Sequence, residues 1–139
     1  MTAERLDTAQ VEAFRCARAE VLERIDAAAA RTGLDPALVT LVAVSKTVPA
    51  DRVRAAVAAG FRVLGENRVQ EAAAKIPMVD GAEWHLIGPL QANKARRAVE
   101  LFDLIESVHT LELARRLATL AAVVRPGWAV PVLLQVNVD

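Results

Sequence analysis

Residues 38–47 read LVTLVAVSKT, an apolar run that ends in a lysine. Its valines and leucines favour a buried strand, which we predict over residues 38–45. Lys46 then follows directly at the strand's end. A lysine placed at the end of a buried strand is costly unless its amine has a function, so Lys46 is the first candidate site residue.

The composition predicts one folded domain with a hydrophobic core. Of the 139 residues, 54% are hydrophobic and 24% are charged, and the formal net charge is zero. This balance argues against electrostatic capture of nucleic acid or an anionic membrane. The single cysteine fits a reducing compartment. Residues 1–10 do not resemble a signal peptide, and no apolar run reaches the roughly 18 residues of a membrane helix. We therefore expect a cytoplasmic protein.

The rest of the chain alternates between helical patterns and short apolar runs. A first amphipathic helix is predicted over residues 8–31, with Asp7 as its cap and Gly33 at its end. Predicted strands cover residues 38–45, 61–64, 83–87, 104–108 and 130–138, with a helix after each of the first four. Such alternation indicates βαβ units and a parallel sheet.

Right-handed crossovers leave two architectures, an open doubly wound sheet or a barrel. The sequence has neither GxGxxG after its first strand nor GxxxxGK[ST], so a nucleotide-binding open sheet has little support. Five strands make about five-eighths of a (β/α)8 barrel. The predicted fold class is α/β, an incomplete (β/α)8 barrel of the TIM type.

In both architectures the functional residues lie at the carboxyl ends of the strands, and Lys46 is the main candidate there. If its strand face lines a barrel, desolvation would free the amine to form Schiff bases with aldehydes and ketones. The alternative is a strand-end lysine that extends its amine to solvent. The residues alone leave these two interpretations equally open.

Three further polar residues lie in or after the next strands. Asn67 fits either a ligand contact or a helix N-cap. His85 fits an interior, hydrogen-bonded histidine better than a metal ligand, and we predict no metal site. Glu66 is expected to pair with a base such as Arg68 or with solvent.

Three segments together resemble the YggS/PROSC family of pyridoxal 5'-phosphate (PLP) homeostasis proteins. They are LVAVSKTVPA (41–50), GENRVQE (65–71) and EWHLIGPLQANK (83–94). The resemblance implies a single-domain barrel of the alanine-racemase N-terminal type (fold-type III). It also implies that the protein holds PLP as a Schiff base without catalytic turnover and keeps vitamin B6 and amino-acid pools in balance.

The resemblance also assigns three cofactor-binding residues. Lys46 matches the Schiff-base lysine, Asn67 is expected beside the cofactor ring, and His85 is expected to line the pocket. No residue is assigned a catalytic or metal-binding role. Arg68 departs from the tyrosine that the family commonly has, at a position expected to face outward.

The family extends through three more strands, whose segments cradle the cofactor phosphate and contact the pyridine nitrogen. Residues 1–139 are therefore expected to be the N-terminal portion of one PLP-binding barrel domain. We expect the full-length parent to be a monomer. The 139-residue chain alone is expected to bind PLP poorly and to associate through its unpaired strand edges.

Three further functions are compatible with these residues. One is a PLP-dependent amino-acid racemase, which needs acid/base groups on both faces of the cofactor. Related racemases use a tyrosine for one of them, and this sequence has no tyrosine. The second is a Schiff-base aldolase that works without a cofactor. The third is a fragment with little cofactor binding.

Overall fold

The computed structural model describes residues 6–138 of the chain, as five α-helices and five strands in those residues. The predicted domain of residues 1–139 therefore extends beyond the described residues at both ends. The helices are α1 (Thr8–Thr32), α2 (Ala50–Ala58), α3 (Val69–Lys75), α4 (Ala95–Leu101) and α5 (Leu111–Val124). The strands are β1 (Val42–Val44), β2 (Val63–Glu66), β3 (Glu83–Leu86), β4 (Leu104–Val108) and β5 (Val132–Leu134).

The five strands form one parallel sheet in the order β1-β2-β3-β4-β5. A helix connects each strand to its immediate neighbour, so right-handed crossovers place these helices on the same side. A doubly wound sheet would instead reverse its strand order at one point. The predicted α/β class and partial barrel topology are confirmed. The sheet is not closed, and within residues 6–138 β1 and β5 have one neighbour each.

The core lies between the sheet and the helices. Alternate residues of the strands, including Leu64, Leu86 and Ile105, are buried there against the helices. From the helix side, Phe102 is fully buried, and Leu117 of α5 is 1% exposed. The opposite sheet face, which would be the inside of a barrel, is covered much less completely.

Helix α1 begins and ends as its sequence predicts. The Asp7 side chain accepts a hydrogen bond from the Ala9 amide, and Gly33 ends the helix in the left-handed conformation with φ of 70°. The helix packs near α2, where the Arg52 guanidinium lies 5.6 Å from the centre of the Phe14 ring. Among residues 6–138, no helix combines the length and apolarity that crossing a membrane requires.

The strand predicted over 61–64 forms two residues later, at Val63–Glu66. The first and fifth strands are shorter than predicted. The predicted buried strand over residues 38–45 forms only at Val42–Val44, and Leu38 instead ends a short 3-10 helix. Its side chains are also less buried than predicted, since Val44 is 52% exposed. The predicted strand over 130–138 forms only at Val132–Leu134, and all three residues are exposed. Both are edge strands. With one neighbouring strand instead of two, each forms fewer hydrogen bonds and leaves its apolar side chains uncovered.

Candidate functional site

Lys46 lies just past the carboxyl end of β1, in a turn. The Ser45 amide still donates to Gly65 of β2 at 2.9 Å, and the Val48 amide then donates back to the Ser45 carbonyl at 3.1 Å. Thr47 takes a left-handed backbone conformation in this turn, with φ of 62°. The Lys46 side chain is exposed, and its amine has no hydrogen-bond or ion-pair partner within residues 6–138. The Lys46 side chain is thus accessible from solvent in the described residues, and its Schiff-base role stays a prediction.

Asn67 follows β2, the neighbour of the strand that ends at Lys46. Its backbone lies so close to Gly88 that a Cβ on Gly88 would be 2.3 Å from the Asn67 carbonyl oxygen. The predicted N-cap role of Asn67 is wrong, since Arg68 occupies the N-cap position of α3 and forms no side-chain cap. Asn67 is half-buried, and its amide forms no hydrogen bond in the described part of the chain.

The strand register relates His85 to these two residues. Val44 pairs with Gly65, and Gly65 pairs with His85, so all three lie in one row across the sheet. Lys46 and Asn67 come two residues after Val44 and Gly65, just past the carboxyl ends of their strands. The fold therefore brings Lys46 and Asn67 to adjacent strand ends, whereas His85 lies deeper on the third strand.

His85 is fixed between two carboxylates. Its Nδ1 lies 2.8 Å from an oxygen of Glu106, and its Nε2 lies 2.9 Å from an oxygen of Glu83. The ring is 6% exposed. Within residues 6–138 no group of three His, Cys, Asp or Glu side chains is arranged to hold a metal ion. With both nitrogens occupied, the ring can offer a ligand its face but not a free nitrogen.

A cleft of about 550 Å³ opens beside Asn67 at the ends of β2 and β3. Its walls include Arg68, Gln91 and Lys94, but neither Lys46 nor His85. This cleft therefore does not bring together the three predicted cofactor-binding residues, whose roles stay predictions.

Behind this edge, on the helix side of the sheet, lies a buried polar cluster of Ser45, Glu66 and Lys75. The Glu66 Oε1 accepts from the Ser45 hydroxyl at 2.6 Å and from Lys75 Nζ at 2.5 Å. Lys75 also donates to the Ser45 carbonyl at 2.7 Å. The Glu66 side chain is fully buried, and its Oε2 has no partner among the described residues.

The sequence interpretation missed this cluster. Glu66 pairs with a base, as expected, but the base is Lys75 and not Arg68, because strand alternation turns Glu66 toward the helices. Arg68 is exposed, as expected, and lies 3.4 Å from Glu71 instead. One signal was available, since Val69, Ala72 and Lys75 recur every three residues and all are buried on α3. That spacing predicts that Lys75 points into the protein with the other two.

Comparison with known proteins supports the predicted resemblance. A curated relative from Escherichia coli K12, named pyridoxal phosphate homeostasis protein, is 44% identical over 128 residues, which are 87% of this chain and 53% of the relative. A relative of the same name from Pseudomonas aeruginosa is 47% identical over 129 residues, again 87% and 53%. The chain thus spans about half the length of the curated relatives it matches.

A solved structure gives the same relationship. PipY of Synechococcus elongatus PCC7942, with PLP bound, superposes with a TM-score of 0.69 at 47% identity, over 86% of this chain and 55% of PipY. The family model described as alanine racemase, N-terminal domain, matches residues 21–139. The chain therefore belongs to the alanine racemase N-terminal domain family, and its predicted resemblance to the PLP homeostasis proteins is confirmed.

Proposed function

We propose that this chain forms the Lys46-bearing part of a PLP-binding protein that keeps vitamin B6 and amino-acid pools in balance. The observation that carries the proposal is an exposed, unpaired lysine amine at the carboxyl end of β1. The names of the relatives and the PLP-bound structure of PipY support the choice of cofactor.

The residues present fit the aldehyde end of this cofactor. When bound, PLP supplies an aldehyde to which a primary amine can be joined as a Schiff base with loss of one water. The sequence has three lysines, at 46, 75 and 94. Lys75 is unsuitable because its amine is buried and hydrogen-bonded to Ser45 and Glu66. Lys46 has no competing partner in the described residues, and the side-chain amide of Asn67 lies just past the end of the adjacent strand.

Borohydride trapping tests the assignment of Lys46. The 139-residue chain is mixed with PLP and reduced with borohydride, which converts the C=N bond to a stable secondary amine, and the labelled peptides are mapped by mass. We expect Lys46 to carry most of the label, even if equilibrium occupancy is low. Lys46→Ala should abolish the selective label, whereas the matched variant Lys94→Ala should retain it. Label spread evenly over the three lysines would refute the proposal.

We further propose that the protein binds PLP without turnover. A racemase of related fold needs a second acid/base group opposite the lysine, and the tyrosine that usually supplies it does not occur in this sequence. An alanine racemisation assay on the full-length protein with bound PLP tests this point. Turnover above the rate of free PLP would favour a racemase instead.

The remaining parts of the proposal concern location and assembly. We propose a cytoplasmic protein that binds the small-molecule cofactor and neither nucleic acid nor a membrane, with a monomeric full-length parent. The single cysteine and the net charge of zero support these points. Cell fractionation and sedimentation of the full-length protein test them.

A further inference from the structure

The backbone turn that carries Lys46 depends on one carbonyl group. The Ser45 carbonyl accepts from the Val48 amide at 3.1 Å and also from Lys75 Nζ at 2.7 Å. The first bond closes the turn, and the second ties the turn to α3. Lys46 leaves the backbone directly after this carbonyl, so any movement of the Ser45 peptide also moves the base of the Lys46 side chain.

Lys75 is itself held in place. Its amine contacts Glu66 Oε1 at 2.5 Å, and the same oxygen accepts from the Ser45 hydroxyl at 2.6 Å. The Lys75 side chain is 10% exposed and that of Glu66 is 0% exposed. The cluster therefore holds Ser45 by both its side chain and its main chain.

The turn also contains strain that needs external support. Thr47 is β-branched and has φ of 62°, a conformation that L-residues other than Asn and Asp rarely adopt. Such conformations persist only where the surroundings determine them. The buried polar cluster is the structure that packs behind this turn.

Stability alone does not account for a buried ion pair at this place. Replacing such a pair with apolar residues of similar volume is often neutral or stabilising. The pair's Glu66 also keeps one oxygen unpartnered within the described residues, which adds cost. Apolar residues could not replace the two bonds to Ser45, which are the one from Lys75 to its carbonyl and the one from its hydroxyl to Glu66.

We propose that Lys75, held by Glu66, is a positioning residue that fixes the Ser45–Val48 turn and so directs the Lys46 amine toward an aldehyde ligand. This inference rests on the proposed function, in which the Lys46 Nζ attacks the aldehyde carbon of PLP, a C=N bond forms and one water leaves. Lys75 takes no part in that step. Its effect is on the backbone from which Lys46 extends.

A double variant separates positioning from stability. Glu66→Leu with Lys75→Met removes both buried charges with little change in volume, so it should unfold close to the parent's midpoint. Lys75→Met alone leaves Glu66 buried without its partner and should be clearly less stable. Both variants lose the bond to the Ser45 carbonyl. Lys94→Met is the matched control, because it makes the same substitution at a lysine outside the cluster.

The first readout needs no cofactor. Native-state hydrogen exchange of the Val48 amide reports whether the turn stays closed. We expect exchange at Val48 to be about tenfold faster or more in the double variant, since hydrogen bonds to charged groups contribute at that level. Amides in the core of β3 should exchange as in the parent.

The second readout is the share of borohydride-trapped PLP found on Lys46. We expect this share to fall several-fold in the double variant and to stay at the parent value in Lys94→Met. A double variant with the parent's Val48 exchange and the parent's Lys46 share would overturn the inference and leave the cluster a purely structural role.

The two proposals fail in different ways. If the parent chain shows no selective label on Lys46, the proposed function fails, and Val48 exchange still tests whether Lys75 holds the turn. If the double variant does not fold, Lys75→Gln replaces it, because the shorter, uncharged side chain cannot reach as Lys75 does. A folded Lys75→Gln chain with unchanged Val48 exchange would overturn the inference equally.

Discussion

Replacing Gly88 with alanine tests how tightly the ends of β2 and β3 are packed. An alanine Cβ at this position would lie 2.3 Å from the Asn67 carbonyl oxygen and 2.7 Å from its Cα. Real Cβ contacts are essentially never below 3.0 Å, so the two backbones must separate by at least about 0.7 Å. The atoms in the way belong to the main chain, which cannot move aside as a flexible side chain can.

Gly88 is also held on the side away from Asn67. Its carbonyl accepts a hydrogen bond from the buried Ser107 hydroxyl at 2.6 Å, which ties it to the end of β4. Moving Gly88 away from Asn67 therefore strains this bond. We expect Gly88→Ala to lower the free energy of unfolding by about 3 kcal/mol, the upper part of the range for overpacked sites. For a chain of this size that corresponds to a melting temperature about 10 °C lower.

The assay is urea and thermal unfolding followed by circular dichroism at low protein concentration. Gly33→Ala is the matched control. It makes the same substitution where the backbone has φ of 70° but nothing lies within 4 Å of the new Cβ. The control should lose only about 1 kcal/mol, from the left-handed conformation. If Gly88→Ala loses no more than Gly33→Ala, the steric reasoning is wrong and the strand ends relax freely.

Three further predictions concern other parts of the fold. Phe102→Ala should lower the free energy of unfolding, measured by urea titration, by about 3–5 kcal/mol, because Phe102 is fully buried. As a control, Leu111→Ala at a 66% exposed leucine should lower it by less than about 0.5 kcal/mol. Thr47→Gly should raise stability by about 0.5–1 kcal/mol by relieving its left-handed backbone, and a loss would show that Thr47 is not strained. Leu134→Lys on β5, at a position 74% exposed, should reduce self-association measured by light scattering. Unchanged scattering would locate any association on another surface.

Much of the fold could be predicted because its signals are local. The alternation of strands and helices depends on periodicity within single segments, and β4 begins and ends at Leu104 and Val108 as predicted. The edge strands could not be predicted as well. An apolar run indicates that a segment prefers the strand conformation, but the length of the strand depends on its neighbours in the sheet. Within the described residues, β1 and β5 have one neighbour each.

The site was predictable only in part, for a similar reason. Lys46, Asn67 and His85 were singled out by strand-end position and by the family resemblance, and their roles toward PLP stay predictions. The Glu106 partner of His85 comes from the neighbouring strand β4, and the partners of Glu66 come from the end of β1 and from α3. Pairings of this kind depend on strand register and helix rotation, which single-segment patterns do not specify.

Two dipeptides at this edge each combine a supporting residue with a ligand-facing candidate. In Ser45-Lys46 and Glu66-Asn67, the first residue is buried on the helix side and the second is exposed or half-buried. Strand alternation places Ser45 and Glu66 on the helix side, and the residue after each follows the end of its strand. A substitution in the buried member therefore acts on the exposed one through a shared peptide bond. Variants of Ser45 or Glu66 should thus change how PLP reacts with Lys46 without contacting the cofactor.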